Sequence, residues 1–301
     1  MRFTVKAPAS SANLGPGFDA LGLALDLWNT VLIDTDGTPG EVINEGPEAK
    51  ILEGHRNLTV HAMETLARDR KRDLPGFSIV ARTEIPVSRG LGSSAAALVA
   101  GLIAANHILE LNLSQDALYE YALRMEGHGD NVGAAIYGGA VLAVPGLKRP
   151  VQLTTGTDLG LVAVVYIPEA TGATWAARAA LPHEVPVPDA ALNLATTAGL
   201  SIGLMTADHA LIAAGMRDMI HEPYRARLFP HLDAMKATAR DHGAVGAALS
   251  GAGSTVLALV SPGRSEAVAS AFTETARRLV VPGRVAVLNT TPTGAELHCL
   301  A

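Results

Sequence analysis

The chain has 301 residues, room for about two domains, and its 49% hydrophobic and 17% charged residues exclude a disordered protein. A net charge of −6 offers no basic surface for a nucleic acid or a membrane, so any anion it binds must be held by local groups. A single cysteine, Cys299, excludes an intrachain disulfide framework and a cysteine metal cluster; with no signal-peptide core and no apolar run long enough for a bilayer, the expected place is the cytoplasm.

In chain order, the first glycine-rich tract, Ser10 to Gly22, holds Gly15-Pro16-Gly17, a tight-turn signature flanked by Asn13 and Asp19. A strand over Trp28 to Asp34 follows, then a helix over Leu58 to Arg70 with Asn57 in position to cap it, then a strand over Phe77 to Thr83. The second glycine tract, Pro86 to Ala97, opens a helix over Ser94 to Leu109 that is apolar nearly all round and is therefore expected to be central and buried. Behind Ser114, an N-cap candidate, Gln115 to Met125 reads as a helix. The polar segment Lys148 to Asp158 marks the expected boundary between domains 1–152 and 153–301. Beyond it come a strand over Val162 to Ile167 and a helical stretch from Leu192 to Met219. A third glycine tract, Gly246 to Thr255, reads as a hairpin or bulge ahead of a strand over Val256 to Val260, and a helix over Glu266 to Leu279 and a strand over Val285 to Asn289 complete the list. Strands alternating with helices define a mixed α/β protein.

The second tract carries the most chemistry. Gly90 and Gly92 ahead of Ser93, Ser94 and a helix put free backbone N–H groups at a helix N-terminus, where the dipole favours an anion. No lysine lies between Pro86 and Ala97, which excludes a Walker A loop. Gly90-Leu91-Gly92-x-x-Ala95 has the form of a dinucleotide fingerprint, but no acidic residue ends a second strand about 20 residues on. Taken alone, these glycines could serve only to let a buried helix pack on a sheet. In the third tract, Ala248 and Ala252 stand where a nucleophile elbow requires glycine, which argues against a serine hydrolase.

Together and in this order, the three tracts resemble the three motifs of the GHMP kinase superfamily. KAPASSANLGPGFDALGLAL (Lys6 to Leu25), PVSRGLGSSAAA, EGHGDNVGAAIYGG (Glu126 to Gly139), AARAALP (Ala176 to Pro182), EPYRARLFP (Glu222 to Pro230) and SGAGST resemble most the members that act on L-homoserine. The resemblance runs from about residue 3 to residue 260. It implies an α/β (α+β) two-domain fold: a ribosomal-protein-S5-like N-terminal domain, a ferredoxin-like C-terminal domain, and ATP and acceptor meeting in the cleft between them. The implied reaction moves the γ-phosphoryl of ATP to the side-chain hydroxyl of L-homoserine, giving O-phospho-L-homoserine for threonine biosynthesis, commonly in a homodimer.

The same resemblance implies roles for residues. Pro86, Arg89, Gly90, Leu91, Gly92, Ser93, Ser94 and Ala95 match the phosphate loop, with Gly251 and Gly253 from the third motif and Asn57 toward adenine. Ser94 and Glu126 match the Mg2+ ligands. A zwitterionic acceptor needs guanidinium forks for its carboxylate and oxygens for its ammonium. Arg178 and Arg225 are assigned to the first, and Asn13 and Asp19 to the amino and hydroxyl end. Asp130 and Asn131 are expected beside the reacting hydroxyl, with Arg178 counted among the catalytic groups and His128 read as structural. Only Lys6 among the five lysines lies near a motif, so the expected mechanism orients the hydroxyl through Asp130 or Asn131 and lets its proton leave late. Ser88 stands where glycine is frequent, and SGAGST where SGSGPS is commoner. The rivals are a kinase for L-threonine or mevalonate and a ligand-binding relative without catalysis. Asp19 beside two arginines favours an amino acid, and the intact Ser94, Glu126 and Asp130 favour catalysis.

Overall fold

In the computed structural model, which describes residues 1–300, the strand Arg2–Asn13 pairs antiparallel with Gly17–Asp34, and the first glycine tract makes the turn between them. These two strands centre a seven-stranded sheet. Ser78–Arg82 pairs the outer half of Gly17–Asp34 and carries Val42–Glu45 in parallel beyond it, while Ala140–Leu142 and then Val151–Thr154 extend the inner half. A second sheet is antiparallel throughout, in the order Gly283–Asn289, Val162–Pro168, Val256–Val260, Gly246–Leu249. The third glycine tract is the hairpin connection between its last two strands, with Leu249 opposite Val256.

The boundary expected at 152/153 falls inside Val151–Thr154, which belongs to the first sheet. The end of the chain, assigned to the second domain, also returns there: Glu296–Cys299 pairs with the open edge of Arg2–Asn13, Phe3 opposite Cys299. An unpaired strand edge is an exposed row of donors and acceptors, and the returning tail covers it.

Helix Ser93–Ile108 is the centre of the first half. Its all-round apolar surface finds partners in helices Leu58–Asp69, Gln115–Glu126 and Asp130–Tyr137 and in strand Arg2–Asn13. In the second sheet the two-residue period of a strand divides the core. Along Val162–Pro168, Ala163, Val165 and Ile167 join the core shared with the first half, and Val164 and Tyr166 face helices Leu232–Asp241 and Ser265–Leu279 through Met235 and Phe272. The helical stretch from Leu192 to Met219 is two helices, Val187–Thr206 and His209–Gly215. Ala207 turns left-handed, and the Asp208 side chain accepts from the N–H groups of Ala210 and Leu211, a new N-cap that restarts the helix.

Candidate active site

A cleft of about 550 Å3 runs between the two halves, and all the expected site residues except Arg89 and Ala95 line it. Its floor is where the glycine tracts meet. Gly90 (φ 78°) packs so close to the third tract that a Cβ would lie 2.1 Å from Ser250 O, and one on Gly92 (φ 71°) would lie 2.1 Å from Ser10 Oγ. Ser250 Oγ donates to Gly90 O (2.6 Å), Asn13 Nδ2 donates to Gly251 O (2.8 Å), and Gly251 N–H donates to Ala12 O (3.0 Å). Small residues are required because backbone meets backbone across the two halves. Ser88, where glycine is frequent in the superfamily, holds φ 56°, a left-handed conformation in which a Cβ is strained and glycine is not.

Gly92 is the N-cap of helix Ser93–Ile108 and has no side chain to cap it, so the first-turn amides of Ser93 and Ser94 face the cleft without a capping acceptor. Ser94 Oγ donates to Glu126 Oε1 at 2.7 Å. Mg2+ takes oxygen ligands of this kind, and the hydroxyl and carboxylate side by side next to the uncapped helix start fit that ion. Asn57 does double service: its Oδ1 caps the next helix by accepting from Val60 N–H (3.1 Å), and its residue lines the cleft wall.

Arg89 and Ala95 turn away from the cleft. Arg89 is held in place by Glu48 (3.0 Å) and the carbonyls of Pro168 (2.9 Å) and Glu169 (2.9 Å), tying the second tract to the end of strand Val162–Pro168 in the second sheet. Ala95, in the first turn of the helix, packs in the core.

At the other end of the cleft the groups are charged. Asp19 (φ 57°) and Arg178 form a two-point pair, Nη2 to Oδ1 at 2.8 Å and Nη1 to Oδ2 at 3.0 Å. Asn13 Oδ1 accepts from Asp19 N–H (3.0 Å), so with its bond to Gly251 the Asn13 amide clasps the two halves as well as lining the site. Arg225 is 2% exposed, donating through Nε to Ala177 O (3.2 Å) and through Nη1 to Gly251 O (3.1 Å). Among the described residues its Nη2 has no hydrogen-bond acceptor. Burial, helped by the neighbouring Arg178, pulls this guanidinium down to about 10, which leaves it charged at neutral pH. The Phe18 ring lies beneath both guanidinium groups, 5.6 Å from Arg178 and 5.3 Å from Arg225.

Between the two ends stands Asp130, buried, whose Oδ1 takes His128 Nδ1 (2.8 Å) and the Asn131 N–H (2.7 Å). Ser10 Oγ donates to Asn131 Oδ1 (2.8 Å), which turns the amide so that Nδ2 is left as its free donor. The hydrogen bond to Asp130 pushes the His128 pKa up, against its burial and with help from the charges of Asp130, Glu126 and Asp19. His128 therefore lies in the cleft, not behind it, and its ligand atom comes within 4.8 Å of those of Asp19 and Asp130. The spacing His128-x-Asp130 was visible in the sequence; the approach of Asp19 was not, because it depends on the turn between the first two strands.

The profile of the GHMP kinases N terminal domain matches residues 57–139 and that of the GHMP kinases C terminal matches residues 201–278. The chain belongs to the GHMP kinases. A homoserine kinase of Synechococcus sp. (strain CC9902) is 40% identical over 98% of this chain and 95% of its own, and one of Desulfitobacterium hafniense is 38% identical over 90% and 91%. The solved homoserine kinase of Cytophaga hutchinsonii superposes with a TM-score of 0.87 at 29% identity, covering 98% of this chain and 97% of that one. Within the GHMP kinases, the homoserine kinases are its branch. The mevalonate kinase of L. major, at 18% identity and a TM-score of 0.72 over 96% of each chain, shares the fold. No helix among the described residues is long and apolar enough to cross a membrane.

Proposed function

We propose that the protein transfers the γ-phosphoryl of ATP to the side-chain hydroxyl of L-homoserine, giving O-phospho-L-homoserine for threonine biosynthesis in the cytoplasm. One observation carries the choice of acceptor: Arg225 presents a guanidinium with a free Nη2 beside a carboxylate–guanidinium pair, Asp19 and Arg178. An amino acid brings one charge of each sign on adjacent groups. It can enter across the Asp19–Arg178 pair with its ammonium on Asp19 and its carboxylate on Arg178 and Arg225, so that each charge lost to the opening is replaced. Mevalonate has no ammonium for Asp19.

At the phosphate end, the glycine loop and the amides of Ser93 and Ser94 receive the phosphates, with the Asn57 wall toward adenine. Ser94 and Glu126 would hold Mg2+, which when bound neutralises charge on the phosphate oxygens. Asp130, with Oδ1 already occupied by His128 and Asn131 N–H, offers Oδ2 to the acceptor hydroxyl, and Asn131 Nδ2 adds a donor. Among the described residues no lysine lines the cleft, and a carboxylate held in this way orients the hydroxyl while its proton leaves late toward the phosphate.

The protein acts as a homodimer in this proposal. Helix Val187–Thr206 turns Leu194 (74% exposed), Ile202 (52%) and Met205 (60%) outward on one face with exposed Ala191, Ala195 and Ala198 alongside, an apolar stripe suited to a second copy.

Coupled ADP release with Mg2+ and ATP over L-homoserine, D-homoserine, L-threonine, L-serine and mevalonate tests the assignment. Selective turnover of L-homoserine is expected; preference for another acceptor moves the substrate, and ATP binding with no turnover of any of them contradicts the reaction.

A further inference from the structure

His221 is wholly buried and does not line the cleft, yet it touches the residue that matters most there. Its Nε2 lies 2.7 Å from Gly15 O. A carbonyl oxygen has no proton to give, so the proton of this contact is on Nε2. In the neutral ring Nδ1 then bears a lone pair, and it lies 3.2 Å from Arg225 Nη1, which has only protons to give. The two contacts are compatible only with the neutral Nε2–H imidazole. Burial, the largest influence, favours that form, as does the positive charge of Arg225, and together they outweigh the Gly15 hydrogen bond and the carboxylates of Glu222 and of Asp218, whose Oδ2 lies 3.7 Å from Nε2. Asp218 is itself occupied by the N–H groups of Ile220, His221 and Glu222.

With this contact, three of the five N–H bonds of Arg225 are fixed: Nε on Ala177 O, and Nη1 on Gly251 O and His221 Nδ1. The fork can no longer rotate, and both remaining donors are on Nη2. Phe18, with its ring 5.3 Å from the imidazole and 5.3 Å from the guanidinium, closes the remaining side.

We propose that His221 is a positioning residue: its Nδ1 lone pair sets the Arg225 fork so that Nη2 meets the carboxylate of the acceptor. This rests on the assignment of Arg225 to an amino-acid carboxylate. Two near-isosteric substitutions separate the role from simple packing. Asparagine puts an oxygen near the place of Nδ1 and keeps the acceptor for Arg225; glutamine puts its amide near the place of Nε2 and keeps the donor to Gly15. Loss of a hydrogen bond to a charged group predicts a rise of about tenfold or more in the KM for L-homoserine in His221→Gln, with kcat and the KM for ATP held within about twofold. His221→Asn should stay within about threefold of wild type. On 3-aminopropan-1-ol, the same acceptor without its carboxylate, His221→Gln should match wild type. Equal impairment of both variants, or a glutamine defect that persists on 3-aminopropan-1-ol, overturns the proposal. A two-dimensional nitrogen spectrum of the imidazoles of the wild-type protein at pH 7.5 tests the contact without any variant: an Nε2–H tautomer is expected for His221, and an Nδ1–H tautomer or an imidazolium overturns the proposal. If wild type does not turn over L-homoserine, it is the acceptor assignment that fails, and the spectrum still decides the contact.

Discussion

The two ends of the cleft are built from different materials. The end proposed for the phosphates is backbone: glycines at 90 and 92, a helix start with no capping side chain, and a neighbouring hairpin that approaches to main-chain contact. The end proposed for the acceptor is side chain: a buried arginine, a two-point carboxylate–guanidinium pair and an aromatic ring, contributed by segments far apart in the sequence. Phosphates are alike in every ATP, so fixed amides suffice to hold them, whereas one small alcohol is told from another by where its charges fall. Substitutions at the first end should therefore act on stability and ATP together, and at the second on the acceptor alone.

The largest expected effect is at the acceptor end. Arg225→Ala removes the buried guanidinium proposed to meet the acceptor carboxylate and should lower kcat/KM for L-homoserine by about a thousandfold, with the KM for ATP unchanged. An equal rise in the KM for ATP would erase the division between the ends. Gly90→Ala is the matching test at the phosphate end. Its Cβ would collide with Ser250 O from a left-handed backbone, so urea unfolding should show a loss of about 3 kcal/mol or more together with weaker ATP binding. Asp130→Asn keeps an oxygen for His128 and for the Asn131 amide; an orienting role predicts a fall in kcat of about tenfold to a hundredfold, and a larger loss would make Asp130 a general base. Glu126→Gln should raise the Mg2+ needed for half-maximal rate by about tenfold and leave thermal unfolding unchanged.

The smallest effect is a pH dependence. The folded pKa of His128 lies above its usual 6.5, so its stabilising contact with Asp130 is complete below pH 6.5 and is lost as pH rises through the raised value. Thermal unfolding of wild type should lose stability across that step, by about 1 kcal/mol or less, and His128→Gln should not show the step.

Much of this division was legible in the sequence, for a physical reason. Helices Leu58–Asp69 and Gln115–Glu126 carry side-chain caps, Asn57 and Ser114, that act locally and so can be read locally. The strand Arg2–Asn13 was not read: its inner half, Ala7 to Asn13, is buried on both faces and shows no alternation to mark it. The break at Ala207 was missed although Asp208 is a good cap, because the apolar pattern continues through it. At the site, the phosphate end was legible since its small residues lie in one tract. The acceptor end was legible as residues but not as geometry, and the places of His128 beside Asp19 and of Phe18 beneath two arginines depend on tertiary contacts that no spacing encodes. His221 left one signal, its place four residues before Arg225 in the same segment.

The central claim is that Asp19 and Arg178 separate to receive opposite charges of one acceptor. Coupled ADP release from Asp19→Asn and Arg178→Ala on L-homoserine, 3-aminopropan-1-ol and 4-hydroxybutanoate tests it directly. Both variants should be impaired on L-homoserine; the Arg178→Ala defect should vanish on the acceptor without a carboxylate, and the Asp19→Asn defect on the acceptor without an ammonium. Defects of equal size on all three acceptors would contradict the claim and leave the pair a structural clasp.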